Sequence, residues 1–311
     1  MKDIKNVLDL YDRSLAMAGS RGQEFIVRNG RCINQVLSLF SDEESRYLYA
    51  QEIVYCALCQ FVRQDLVPYF AGLMTSAEFG KYVDGMRNHK LFSLFASPED
   101  KNSDDIKAAD MTATFLLEQY RYKDLVRVEE GDICLDGGAF IGDTALYFTE
   151  GKALKIYSFE IDRGNLECLK TNMINFGKTE TVEIIEKALG RRCGTMSYVP
   201  MQGNVSGGHI AEAPAGEDGY EVSVTTIDAF CEERKIVPNF IKMDIEGAEL
   251  DALEGARNTI QEHHPKLAVC IYHKWEHHWN IPILVHELCP EYQLYLKKSQ
   301  PHSETVLFAV E

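Results

Sequence analysis

The 311-residue chain predicts an α/β fold of Rossmann-like type: a mostly parallel sheet with a C-terminal antiparallel hairpin, preceded by a helical N-terminal region. Three observations carry this expectation. From residue 132 onward short apolar runs alternate with helical patterns, the mark of βαβ units. The segment Ile133-Cys-Leu-Asp-Gly-Gly-Ala-Phe-Ile-Gly-Asp-Thr144 passes from an apolar run through glycines into a helix start. The last two apolar runs, Tyr292–Lys297 and Thr305–Val310, are joined by a short polar loop with no room for a helix, so they must pair antiparallel.

Taken in order, residues 1–125 form the helical region and residues 126–311 the sheet domain. Ser41-Asp-Glu-Glu44 has the spacing of a capping box. After it Ala50, Ile53, Val54, Ala57, Leu58, Phe61 and Val62 recur at helical steps, with Arg46, Glu52, Gln60 and Arg63 on the other face. Weaker periodicity predicts helices over Ile4–Met17, Phe25–Phe40 and Met111–Leu125, and the polar run Ser97–Asp105 is a loop or linker. No cluster of catalytic type stands before residue 130, so this region is expected to serve as a helical cap, an oligomerisation element or a substrate-gating lid. The sheet strands expected are Ile133–Leu135, Lys155–Phe159, Val182–Ile185, Phe240–Ile245 and Leu267–Tyr272. Two more, Met196–Val199 and Tyr220–Val224, flank a Gly/Pro-rich flap over Gly203–Gly219.

The glycine corner is a nucleotide-type seat. Gly137 and Gly138 let the backbone turn and approach a ligand closely, and the helix opening at Asp143 and Thr144 presents free N–H groups. A dinucleotide fingerprint needs glycines first, third and sixth, but Gly137, Ala139 and Gly142 occupy those places. What stands is Asp136-x-Gly138-x-x-x-Gly142, similar to the first motif of class I S-adenosylmethionine (SAM) methyltransferases. Glu160, at the tip of the next apolar run, is placed to accept ribose hydroxyls, in NAD and SAM alike. The terminal hairpin, which a dinucleotide fold lacks, favours SAM.

The segment Asn239-Phe-Ile-Lys-Met-Asp-Ile-Glu-Gly-Ala-Glu-Leu250 carries the chemistry. A central parallel strand should be apolar throughout, yet Lys242 and Asp244 interrupt it, and Glu246 and Glu249 follow. Buried charge must be paired with a partner or a ligand, and ligands bind beyond the carboxyl ends of such strands. The run Tyr272-His-Lys-Trp-Glu-His-His-Trp279 should rim the site. Its histidines with Glu276, and Asp244 with Glu246, invite a metal, but neither set has a firm ligand spacing and none is expected.

Composition narrows the partners. A net charge of −16 and the lack of a long basic stripe argue against a nucleic-acid substrate. The nine cysteines are scattered and odd in number, as in a reducing compartment. Cys56-Ala-Leu-Cys59 sits inside a helical pattern, as a core face. With no signal-type start and no apolar run of transmembrane length, a cytoplasmic, membrane-free protein is expected.

Several separate motifs resemble, in order, the FkbM family of SAM-dependent methyltransferases over roughly residues 130–311. They are Asp136–Gly142, Phe159-Glu160 with Asn165–Lys170, Lys187-Ala-Leu-Gly190, Thr225–Phe230, Phe240–Leu250, Leu253–Ala256, Pro265–His273 and Glu304–Phe308. One departure is Glu160-Ile-Asp162, where the family has Glu-Pro-Asp. The resemblance implies a methyltransferase-type sheet and SAM bound by Asp136, Gly137, Gly138, Ala139, Gly142, Asp143, Thr144, Glu160, Ile161 and Ala188. It also implies O-methylation of a small-molecule or carbohydrate-like hydroxyl. Candidates for the base are Asp244, Glu246 and His273, all expected near strand ends. The competing readings are a non-catalytic SAM-binding scaffold and an NAD-linked oxidoreductase.

Overall fold

A computed structural model describes residues 24–59, 74–88, 92–96, 103–200, 208–211, 219–301 and 303–311. The expected helix over Ile4–Met17, the continuation of the amphipathic helix through Phe61 and Val62, the start of the Ser97–Asp105 linker and most of the Gly203–Gly219 flap lie outside them, as do the Leu58 and Cys59 side chains.

Helices α1 (24–39), α2 (Glu43–Cys59), α3 (Ser76–Arg87) and α4 (Ser103–Met111) precede the sheet, and α4 runs on into a π-helical turn over Thr112–Leu116. Residues 103–105 thus open a helix instead of ending a linker. The domain then alternates β1 (Ile133–Gly137), α5 (Asp143–Glu150), β2 (Lys155–Phe159), α6 (Arg163–Asn175) and β3 (Val182–Ile185). Next come β4 (Ala188–Leu189), β5 (Gly194–Pro200), β6 (Gly208–Ala211), β7 (Tyr220–Thr225) and α7 (Ile227–Arg234). The last part holds β8 (Phe240–Met243), α8 (Glu249–Glu254), α9 (Arg257–His263), β9 (Lys266–Cys270), α10 (His277–Leu288), β10 (Gln293–Lys298) and β11 (Thr305–Val310).

The main sheet has the order β10-β11-β9-β8-β1-β2-β3. β9, β8, β1, β2 and β3 run parallel, and β11 is antiparallel to both β9 and β10, as the terminal hairpin required. The expected strands are present, with β8 and β9 ending earlier than their apolar runs. Sequence reading missed two short strands, β4 and β6, which join β7 and β5 in a second sheet of order β4-β7-β5-β6. A two-residue strand gives no period to detect.

Alternate strand residues feed two cores, as a pleated sheet covered on both faces demands. Leu135, Ile241, Leu267 and Leu307 face α7–α10 together with α1 and α2. Cys134, Phe240, Ala268 and Phe308 face α5 and α6. The helical region therefore shares the sheet's own core.

It also covers the sheet's open edge. Phe40 bridges to Leu294 of β10, and the Ser41 and Ser45 hydroxyls accept the Leu294 and Leu296 N–H groups at 3.2 and 2.9 Å. An unpaired edge is a liability, and these hydroxyls satisfy it. Ser41 is thereby engaged with the strand and is not the helix cap. Asp42 is: its carboxylate accepts the Ser45 N–H at 2.8 Å, while Glu44 turns away to Lys123 at 2.8 Å. A capping box does form elsewhere, between Thr75 and Glu78 at the start of α3. Asp42 also accepts from the Tyr122 hydroxyl. Asp42→Ala is expected to cost about 1–2 kcal/mol, read as a lower denaturation midpoint at unchanged slope; a cost below about 0.3 kcal/mol would show that Asp42 is not the cap.

Candidate active site

The parallel strands end at a cleft with about 970 Å³ of free space. Its near wall is the turn after β1. Gly138 has φ +77°, and a Cβ there would lie 1.8 Å from the Asp244 carbonyl oxygen, so only glycine lets these two strand ends approach. Gly142, at φ +91°, caps α5 and packs against Leu169 and Met173.

Of the predicted cofactor residues, Gly138, Asp143, Thr144, Glu160, Ile161 and Ala188 line the cleft. Asp136, Gly137, Ala139 and Gly142 stand behind it. Asp136 is fully buried, with Oδ1 3.2 Å from Lys242 Nζ, and Ser158 donates to it at 3.3 Å. Lys242 in turn donates to the Gly138 carbonyl at 2.6 Å. Burial acts against the Lys242 ammonium, but the charges of Asp136 and Asp244 outweigh it and raise its pKa. Asp136 and Lys242 thus brace the glycine turn from the core side.

The Glu160 carboxylate gathers three backbone N–H groups, those of Phe140 (2.8 Å), Ile161 (2.7 Å) and Asp162 (2.8 Å). Burial nevertheless pushes its pKa up to about 7, the three donors only partly offsetting it. Beside it Phe159, Ile161, Ala188 and Leu189 make an apolar wall, and Tyr198 and Ile210 of the second sheet close over this end.

The other end is acidic. Asp244, just past β8, accepts the hydroxyls of Tyr120 at 2.8 Å and Tyr272 at 3.1 Å. Asp143 accepts from Thr114 at 2.7 Å, Glu304 from Gln119, and Asp110 from Gln300 at 3.3 Å. Burial raises Asp143 to about 6, and burial with the Asp244 charge raises Glu304 to about 7. Asp110 lies well above the ordinary range, through burial and then its carboxylate neighbours. Each of these acids binds its proton more tightly folded than unfolded. Stability of the ligand-free chain should therefore fall as pH rises from the ordinary carboxylate range to about 7. Midpoints that stay level or climb across that window would contradict the shifts.

The three base candidates divide. Asp244 and Glu246 line the cleft, Glu246 with a left-handed φ of +54°, a strained conformation of the kind found at functional sites. His273 is set back. Its Nε2 is 3.4 Å from Asp244 and 3.7 Å from Glu246, and its Nδ1 is 2.9 Å from the fully buried Glu249. Burial opposes its charged form, but the surrounding carboxylates win and raise its pKa well above 6.5, which favours the protonated ring over the free base.

Residues 272–279 do not rim the site as a group, since among them only Tyr272 lines the cleft. Trp279 is buried against Phe25, and His277 and His278 are buried too. Conversely, Asp110, Thr114, Gln119 and Tyr120 come from before residue 130, where no such cluster was expected. The four-residue step from Asp110 to Thr114 was the available signal, but nothing in the spacing says which helix face meets the cleft. Among the described residues no helix is long and apolar enough to cross a membrane.

Residues 136–298, just over half of the chain, match the family model described as Methyltransferase FkbM domain. Among solved structures, methyltransferase FkbM from Methylobacillus flagellatus KT aligns with a TM-score of 0.59 and 22% identity. The alignment covers 91% of this chain, which spans only 59% of that one. More distant are Aeropyrum pernix fibrillarin with natively bound SAM (TM-score 0.40, 13% identity, 64% of this chain and 76% of that one) and a Podospora anserina methyltransferase with bound SAH (TM-score 0.36, 10% identity, 76% and 88%). Comparison with curated protein sequences gives no match.

Proposed function

The chain belongs to the FkbM methyltransferase family, and from that premise we propose that it transfers a methyl group from SAM to a hydroxyl of a small, carbohydrate-like acceptor. The observation that carries the cofactor reading is the charge of the cleft. Asp110, Asp143, Asp244 and Glu304 converge at one end; of the two lysines that line the cleft, Lys242 is already paired with Asp136, and Lys187 directly precedes Ala188 of the apolar wall. Such an end suits a sulfonium and an ammonium and repels a pyrophosphate. The N-terminus of α5, an ordinary phosphate seat, carries the Asp143 carboxylate instead. Glu160 fits the ribose hydroxyls and the Phe159–Ile161–Ala188–Leu189 wall fits a flat adenine.

SAM supplies an electrophilic methyl on a positively charged sulfur. The chain's own task is to hold the acceptor oxygen in line with that methyl, worth roughly 7–11 kcal/mol when orientation is complete, and to take its proton. We assign the proton to Asp244, which the Tyr120 and Tyr272 hydroxyls hold in place facing the cleft. Glu246, at the more open side, is available to the acceptor.

The test is calorimetric titration with SAM, S-adenosylhomocysteine and NAD. SAM should bind and NAD should not. Because a cation favours ionised carboxylates, SAM affinity should rise with pH toward about 7, with protons released in buffers of different ionisation heat. Binding of NAD in preference to SAM would end the methyltransferase reading. Binding of SAM without turnover on any of a broad panel of sugars would favour the scaffold.

A further inference from the structure

Tyr272 also borders a second cavity, with about 880 Å³ of free space, lined by Glu52, Tyr55, Cys56, Trp275, His278 and Lys298 among others. Glu52 and Cys56 are four residues apart on α2 and so share a face. His278 meets them from α10. Glu52 and His278 are 2% exposed and Cys56 1%.

One donor atom from each of the three lies within 4.8 Å of the other two. Cys56 Sγ is 3.5 Å from His278 Nε2, and that nitrogen is 3.8 Å from Glu52 Oε2. Donors on a tetrahedral zinc ion, with bonds of about 2.0–2.3 Å, stand roughly 3.3–3.8 Å apart. The thiol meets the ring obliquely, Nδ1 being 3.9 Å from Sγ, so the imidazole must turn about its Cβ–Cγ bond to aim Nε2 at a shared ion. Two supports are in place. Trp275's carbonyl lies 3.3 Å from His278 Nδ1, and if the turned ring still donates an N–H there, its Nε2 lone pair faces a carboxylate. In that tautomer two acceptors face each other, an arrangement that a cation between them relieves. Lys298 Nζ holds the other Glu52 oxygen at 2.7 Å and so orients the carboxylate from behind.

We propose that Glu52, Cys56 and His278 form a zinc site whose fourth position opens on this cavity. A thiolate, an imidazole and a carboxylate together suit Zn²⁺ better than a hard cation. On binding, the Cys56 thiol loses its proton to solvent and its sulfur becomes a ligand, with no change of oxidation state. The ion would join α2 to α10, residues more than two hundred positions apart in the chain, beside but outside the cleft. The site is independent of the methyltransferase reading.

The experiment uses the full chain with its purification tag removed, stripped with chelator and titrated with Zn²⁺ and with Co²⁺. One zinc per chain should survive gel filtration, and cobalt should give a thiolate charge-transfer band with the strong visible bands of a tetrahedral ion. Cys56→Ser should abolish the charge-transfer band, whereas Cys193→Ser, at an exposed cysteine, should keep it. His278→Gln should lose stoichiometric zinc. If Cys56→Ser fails to fold by circular dichroism, the wild type still decides: zinc should raise its thermal midpoint over the chelated protein. Substoichiometric zinc, cobalt bound without the band, a band that survives in folded Cys56→Ser, or an unmoved midpoint would each overturn the proposal, the imidazole then being a protonated partner of Glu52.

Discussion

Asp244→Asn is expected to lower turnover by about 10²–10⁴-fold, the ordinary contribution of a positioned base, while the fold stays close to the parent's and SAM affinity falls far less than turnover, three carboxylates remaining at that end of the cleft. The Tyr120 and Tyr272 hydroxyls hold the two carboxylate oxygens at 2.8 and 3.1 Å; the substitution keeps one of these acceptors, and the other hydroxyl must turn to accept from the new amide. What disappears is the capacity to accept the acceptor's proton. The measurement is formation of S-adenosylhomocysteine at saturating SAM and acceptor, alongside a titration of SAM. Retention of more than a tenth of the parental rate would move the role to Glu246. A loss confined to SAM binding would show that Asp244 serves the cofactor and not the acceptor. His273→Gln provides a contrast, since its ring lies between Asp244 and Glu249, whose carboxylates favour its protonated form. Its loss should alter the pH dependence of turnover more than the maximal rate.

Lys242→Met should destabilise the chain by about 3–5 kcal/mol, the cost of leaving a buried charge without its partner. Lys242 and Asp136 are 1% and 0% exposed, and each is the other's main charge partner. The variant also removes the donor to the Gly138 carbonyl, so SAM binding should weaken with it. Chemical denaturation gives the free energy. The double variant Lys242→Met/Asp136→Asn, which removes both charges, should recover a substantial part of the loss, and a double-mutant cycle measures the coupling. A single-variant cost below about 1 kcal/mol would mean that the pair is not the brace of the glycine turn.

These two residues show what can be read from a sequence and what cannot. Charges inside the apolar run Phe240–Ile245 were legible because a central strand has no solvent to offer them. Their partition was not. The Lys242 ammonium borders the cleft but is tied to Asp136 behind it, while Asp244, two residues on, passes the end of the strand and presents its carboxylate to the cleft. Both obey the same period of two, and only the point at which the strand stops separates a brace from a site residue.

The chain's local patterns determined the alternation of strands and helices, the antiparallel closing hairpin, the glycine corner and Glu160 at the tip of β2, because each depends on residues near one another. Tertiary structure alone decided what lies far apart in sequence. It brought Asp110, Thr114 and Tyr120 to the cleft, assigned Ser41 to the β10 edge and the cap to Asp42, and buried Trp279 where a rim residue was expected. The physical reason is that a helix or loop shows its period in its own sequence. The partner of its polar atoms is chosen by packing against the sheet, and no spacing along the chain records that choice.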